Sequence, residues 1–546
     1  MLPEPSRPHG ASAPQRKGKT PSMAFTHRPR ASRLPFASPP LAASSALLAL
    51  AGAVALGACG EEFTARPPDT STSSSSGGGG GSGGGGSGGA GGAGGGCPDG
   101  GASCGGDCVD TSTDTRHCGA CDNVCSRSGG TPSCVDGACQ PPACDERRGD
   151  CDQDPSNGCE EDLRTSVAHC GACGQPCSGQ CVQGACVVPE QISAGADYTC
   201  AVLSDKTVWC WGRNTWGNLG DGSLQQDRPI PRQVVGLDGP AARVAAGLSS
   251  ARTHTCAVMA DGGVACWGAG NSGQLGDGSA MSSLSPVRAE ELTGVRWVAV
   301  GAAHTCAVTR THDLYCWGEG GSGQLGYGGH DDQVVPLVMA DGVEMVTAGV
   351  AHTCAALREQ MGERRMSCWG DNTNGQLGIS SFVPQSTPTP LMGLTDVATA
   401  AAGSLHTCAA PRTGVASCWG KGDHYRLGTG IVSSEPMPRR IPELVDVTQL
   451  ALGARHSGAV LAGGAALTWG DNTKGQLGNG TQDLGLTPQP IALTGVKELA
   501  LGDDHSCALT TKGEMYCWGD NTNGQLGDGT TDPQLLPARV RWPARP

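Results

Sequence analysis

The chain has 546 residues, a formal net charge of −14, 88 glycines, 29 cysteines and only 4% aromatic residues, enough for two or three domains rather than one. Residues 1–58 carry seven Lys/Arg against the single acid Glu4, so the remainder stands near −20. That balance argues against nucleic acid as a partner, because phosphate backbones are bound mainly through Lys and Arg. A cytosolic chain would need metals to account for so many cysteines, whereas an oxidising compartment makes them disulfides.

Arg28, Arg30 and Arg33 precede an apolar run from Leu41 to Leu56 that ends in Leu56-Gly57-Ala58-Cys59. A basic region, a short apolar region and small residues form a secretory signal, too short and wrongly flanked for a membrane span. The ending resembles a bacterial lipobox, which implies that residues 1–58 are a signal peptide (with Met23 as a second candidate start) and that Cys59 carries lipid. Residues 59–96 then supply a Ser/Gly tether. The expected location is the cell envelope, at the outer membrane or cell surface, held through the lipid anchor alone.

Residues 97–143 and 144–189 are two cysteine-rich modules of eight cysteines each, both containing HCGAC (His117–Cys121 and His169–Cys173). With almost no aliphatic core, each should be held by four disulfides, and 105 connectivities are possible. Zinc is the alternative use of Cys-x-x-Cys beside His, and export argues against it. The modules look like units of surface proteins from gliding soil bacteria, a resemblance that suggests a stalk or spacer and no activity.

Residues 190–546 repeat a unit reading A-x-G-x-x-H-T-C-A-V, C-W-G and N-x-x-G-Q-L-G-D-G-T. The central tryptophans are Trp211, Trp267, Trp317, Trp369, Trp419, Trp469 and Trp518, spaced 56, 50, 52, 50, 50 and 49 residues apart. Each unit contains four strand-like runs, in the third near Pro286–Ala289, Val295–Val300, Thr305–Thr309 and Leu314–Trp317. The fold class is therefore all-β: a seven-bladed propeller. The first unit lacks its leading run and a spare one, Leu535–Val540, ends the chain, so this C-terminal strand is expected to complete the first blade and close the ring. Six units carry a hairpin cysteine pair: Cys200–Cys210, Cys256–Cys266, Cys306–Cys316, Cys354–Cys368, Cys408–Cys418 and Cys507–Cys517. The sixth has Gly458 and Thr468 instead, and joint loss is what a disulfide predicts.

These motifs resemble the regulator of chromosome condensation repeat family, over roughly residues 190–543. The resemblance implies a seven-bladed propeller serving as a protein binder. The nucleotide-exchange activity of the family's eponymous member is not carried over, because this chain is exported, acidic and has no inserted wedge.

Repetition also sorts the candidate sites. His254, His304, His352, His406, His456 and His505 recur once per unit, with Tyr198 in the first, and read as a structural hydrogen bond. Loops such as Asp520–Gly524 and Asp528–Thr530 offer oxygens to calcium, although Asx-Gly turns explain them without a metal. No unique nucleophile–base–acid set stands out, so no enzyme and no cofactor is expected. Departures from the repeat mark the candidate ligand-binding residues: Trp216 in the first unit, His424, Tyr425 and Arg426 in the fifth, and Arg364 and Arg365 at the tip of a lengthened hairpin, Arg358–Met366. The expected function is recognition of a protein ligand or adhesion. Inhibition of a secreted hydrolase and attachment to polysaccharide are the alternatives.

Overall fold

The computed structural model describes Cys97 and residues 101–125, 130–153, 158–358 and 364–545. Cys59, the signal peptide, the tether and the loop 359–363 lie outside the described residues. No helix among the described residues is long and apolar enough to cross a membrane.

Seven four-stranded antiparallel sheets follow one another along the chain. In the third blade the strands, from the innermost outwards, are Val295–Val300, His304–Thr309, Leu314–Gly318 and Gln333–Ala340. The second and third strands are buried almost throughout (HTCAVT and LYCWG here), because each blade is covered on both faces by its neighbours. Apolar clusters accordingly form between blades: Trp317 of the third packs with Cys256, Val258, Cys266 and Leu275 of the second. All seven repeat tryptophans are fully buried in this position.

The blade boundaries differ from expectation by one strand. The first blade is complete in itself, with Arg228–Gln233 as its outermost strand, and the C-terminal strand Gln534–Arg539 pairs inside the seventh blade with Met515–Gly519. A cyclic repeat has no intrinsic starting point, so the outermost run fits the preceding unit as well as the following one. The ring closes without strand exchange. Its closure is instead clasped by the tail: Trp542 stands edge-on to Trp209 and Trp211, with ring centroids 6.4 and 5.7 Å apart. Arg545 covers the Trp209 ring and pairs with Asp205 at 2.5 Å.

In every hairpin pair the two cysteines face each other across the second and third strands and are bridged. Gly458 and Thr468 occupy the same opposed positions in the sixth blade, where the Thr468 hydroxyl donates to Leu477 O at 2.8 Å.

Both cysteine modules use one connectivity. The bridges are Cys97–Cys108, Cys104–Cys121, Cys118–Cys134 and Cys125–Cys139 in the first. In the second they are Cys144–Cys159, Cys151–Cys173, Cys170–Cys181 and Cys177–Cys186, so in each module the order is first to third, second to fifth, fourth to seventh and sixth to eighth. The HCGAC motif has a structural explanation. Its histidine accepts a backbone N–H five residues on, at 3.0 Å in both copies. Its glycine (Gly119 or Gly171) has φ near +80° and lies so close to Gly137 or Gly184 that a Cβ would come within 2.3 or 2.5 Å of the carbonyl oxygen.

The second module is packed on the propeller rather than held away from it. Ser178 donates to Lys512 O at 3.3 Å, Gln180 to Pro543 O at 3.2 Å, and Val182 and Val187 join the core cluster of the first and seventh blades.

Candidate partner-binding face

Antiparallel blades divide the propeller loops into two faces. On the first lie the turns between innermost and second strands and the connections between third and outermost strands. On the other lie the second-to-third hairpins and the blade-to-blade links. The second module sits on the latter face, because its partners Lys512 and Ser204 belong to second-to-third hairpins.

One hydrogen-bond unit recurs at all seven seams. A Thr or Ser beside the hairpin cysteine donates to the backbone carbonyl of residue 218, 274, 324, 376, 426, 476 or 525 in the preceding blade, at 2.7–3.0 Å. The repeat tryptophan donates its indole N–H to the same oxygen at 2.9–3.0 Å. The histidine of the preceding blade meets the hydroxyl through Nε2 at 2.7–3.0 Å. The hydroxyl's single proton is committed to the carbonyl, so histidine Nε2 must be the donor and Nδ1 carries no proton. At the first-to-second seam Tyr198 replaces histidine, its oxygen 2.8 Å from Thr255 Oγ1. Burial lowers the histidine pKa to about 3 for His254, His304 and His456, and to about 4 for His352 and His505, while His406 also lies well below 6.5. These side chains are neutral structural donors, as the repeat pattern implied.

The glycine of A-x-G-x-x-H lies where the blades converge. A Cβ at Gly349 would stand 2.2 Å from the His352 ring and 2.5 Å from Gly403 O of the next blade. Equivalent approaches recur at Gly301, Gly403, Gly453 and Gly502.

The candidate residues fall on both faces and differ in exposure. Trp216 is half-buried with an unpartnered indole N–H, and His424 and Tyr425 are half-buried residues with φ of 57° and 59°. All three lie in third-to-outermost connections on the uncovered face, but in the first and fifth blades, with two blades between them. Arg426 is a correction: it is 2% exposed, donates to Ala454 O at 2.6 Å and pairs with Asp423, and its carbonyl serves the seam as those of Asn218 and five glutamines do elsewhere. It is closed to a ligand. Arg364 and Arg365 open the strand Arg364–Gly370 opposite Arg358 and Leu357, beside the hairpin tip rather than on it, and lie on the face that bears the module, away from Trp216 and Tyr425. The Asp/Asn loops are satisfied internally: Asp520 Oδ2 accepts from Thr522 and Gln525, and Asn521 Oδ1 from Leu526 N.

Two charged sites went unread in the sequence. At the seventh-to-first seam of the uncovered face, Asp197 pairs with Arg213 at 3.0 Å and Asp504 with Arg455 at 3.1 Å. Asp503 between them has a buried, unpartnered Oδ1, and burial, then Asp197 and Asp504, raise its pKa to about 7. In the central channel a cavity of about 220 Å³ is lined by Arg243, Trp297 and Glu498. Arg243 stacks 4.1 Å over the Trp297 ring, and burial lifts the Glu498 pKa to about 7 against the opposing pull of Arg243. The signal for both was a departure from the repeat: GDDH stands where the third, fourth and fifth units read GAAH, GVAH and GSLH, and Arg243, Trp297 and Glu498 hold equivalent positions in three innermost strands.

These features define a disulfide-bridged seven-bladed propeller joined by a single repeated seam. The family model for the regulator of chromosome condensation (RCC1) repeat matches residues 205–258, 261–308, 312–356, 368–410, 418–460, 463–509 and 512–545, more than half of the chain. The chain belongs to that family. It is 38% identical over 106 residues to the ultraviolet-B receptor UVR8 of Arabidopsis thaliana, a stretch covering 19% of this chain and 23% of the receptor. It is 37% identical over 102 residues to the human E3 ubiquitin-protein ligase HERC2, covering 18% of this chain and 2% of the ligase. The chain thus spans less than a quarter of either relative. Human WBSCR16 shares the fold with a TM-score of 0.55 and 24% identity, covering 62% of this chain and 94% of that one. Prp20p of Saccharomyces cerevisiae does so with a TM-score of 0.55 and 21% identity, covering 65% and 87%.

Proposed function

We propose that this chain is an exported, lipid-anchored protein of the cell envelope, attached through Cys59, whose propeller recognises a protein ligand rather than catalysing a reaction. The supporting observation is the contrast between faces: the seam recurs at all seven blades, one face bears the second module, and the other carries Trp216 on the first blade, Tyr425 on the fifth and Asp197, Asp503 and Asp504 at the seventh-to-first seam. Aromatic and charged groups in otherwise repetitive loops are what a specific contact needs. Prp20p, which shares the fold, has binding properties to Gsp1p and histones, so such a scaffold supports protein recognition.

The test is capture by the full chain from secreted and envelope fractions, alongside a Trp216→Ala/Tyr425→Ala variant. One stoichiometric protein partner, lost or weakened at least tenfold in the variant, supports the reading. Retention only on polysaccharide overturns the protein ligand, and undiminished capture by the variant overturns the contact face. Loss of a captured hydrolase's activity on titration identifies an inhibitor.

A further inference from the structure

The repeat supplies an internal comparison inside the central channel. Gln191, Arg243, Trp297, Gln449 and Glu498 hold one register position of the innermost strands in the first, second, third, sixth and seventh blades, each opposite an apolar residue of its second strand. Four of these side chains behave alike: each hydrogen-bonds the backbone of the next innermost strand, one residue beyond that strand's own ring position. The Gln191 amide accepts Val244 N–H at 2.8 Å and donates to Val244 O at 3.1 Å. Gln449 treats Leu499 in the same way, at 2.8 and 3.0 Å. Trp297 donates to Val346 O at 3.0 Å, and Glu498 accepts Ile192 N–H at 3.3 Å.

Arg243 is the exception. By register its target is Val298, yet among the described residues it makes no hydrogen bond and no ion pair. Its guanidinium stands 4.1 Å over the Trp297 ring and lines the channel cavity of about 220 Å³. Neighbouring cations are committed elsewhere: Arg296 donates to Glu344 O at 2.8 Å and Lys497 to Glu190 O at 2.9 Å. Stacking on an aromatic ring leaves the in-plane N–H fork of a guanidinium free. Half-buried donors without an acceptor are costly until something in the cavity receives them.

We propose that the central channel binds a small aliphatic carboxylate, its two oxygens held by the Arg243 guanidinium. An arginine fork matches a carboxylate in a bidentate pair. Arg243 and Glu498 are the charged residues of the cavity wall, and Val244, Val298, Leu450 and Leu499 supply apolar surface for a hydrocarbon chain. Glu498 opposes the second charge that a phosphate would bring. The cavity lies below the roughly 300–1,000 Å³ of sites for drug-sized ligands, which limits the guest to a short chain. This site is separate from the protein contact proposed above.

The experiment titrates sodium hexanoate by calorimetry into the full chain at pH 7, beside its Arg243→Gln and Glu498→Gln variants. Both variants carry the residue that the first and sixth blades have at this position, so each can make the same backbone contact, and unchanged slow amide exchange in the innermost strands verifies the fold. The expected result is one site in the wild type, weakened at least tenfold by Arg243→Gln and tightened by Glu498→Gln, which removes a charge opposing the anion. Hexanol, which has the chain without the carboxylate, should not bind saturably. No hexanoate site in the wild type, or equal affinity in Arg243→Gln, overturns the proposal. So does hexanol binding as tightly as hexanoate, which reduces the site to an apolar cavity. Weaker binding in Glu498→Gln contradicts an anionic guest, and displacement of hexanoate by an equal concentration of inorganic phosphate overturns the preference for a carboxylate.

Discussion

The propeller and the cysteine modules both carry bridges, but the bridges do different work. In the propeller each disulfide spans two strands already paired by backbone hydrogen bonds and covered by tryptophan, and the sixth blade stands without one. In the modules the described elements are short and the buried clusters consist almost wholly of cysteine. A large repeated core makes covalent links supplementary, and a module without such a core depends on them.

Reduction should break this comparison most sharply. With all bridges reduced, residues 101–186 should lose their slow-exchanging amides while the second and third strands of every blade keep theirs. Removing a single bridge by Cys151→Ser/Cys173→Ser should cost the module about 2–5 kcal/mol, read as local exchange in peptides 144–186.

Acid attacks the propeller instead. A seam histidine held neutral to about pH 3 or 4 in the fold, but titrating near 6.5 once unfolded, binds fewer protons native than unfolded. Its contribution is complete above pH 6.5 and is lost as pH falls towards 4. Asp503 and Glu498 act oppositely: their folded pKa near 7 disfavours the fold at neutral pH and relaxes as they protonate. Six histidines outweigh two carboxyls, so denaturant melts at pH 7 and pH 5 should show a loss on the order of 5 kcal/mol at the lower pH.

Single seam changes are smaller. Thr305→Val leaves the His254 Nε2–H without its acceptor and should cost about 1–3 kcal/mol in denaturant melts. Thr305→Ser, using the residue found at 457 and 506 in the last two blades, should recover most of that loss. Smallest is the addition of a seventh hairpin bridge. Gly458→Cys/Thr468→Cys should form a linked pair in a non-reducing map and add about 1 kcal/mol, since the closed loop is short and the Thr468–Leu477 hydrogen bond is given up.

Repetition made the fold legible. Seven tryptophans, six cysteine pairs and six histidines at fixed spacing each pointed to one role, and the shared loss at Gly458 and Thr468 located a bridge site without a homologue. Where repetition gave no purchase, reading failed for identifiable reasons. The outermost strand belonged to the wrong unit because a closed ring can be cut at any strand. Arg426 looked like a ligand contact because arginine is common at interfaces, yet it fills a glutamine position whose backbone carbonyl carries the seam. Asp503 carries no motif of its own in the sequence, and its consequence comes from convergence with Asp197, some 300 residues away in sequence. The module connectivity was open among many possibilities because cysteine spacing does not encode which sulfurs meet.

The seam is the claim on which the propeller's closure and its acid sensitivity both depend. Long-range proton–nitrogen correlation spectra of the full chain at pH 7 read the protonated nitrogen of each of the 13 histidines directly. Six of them should be neutral, protonated at Nε2, and unchanged down to pH 5, with His505 across the seventh-to-first seam indistinguishable in kind from the other five. Protonation at Nδ1, or titration of these six near pH 6.5, would contradict the shared hydroxyl relay and with it the closure of the ring by a repeated hydrogen bond.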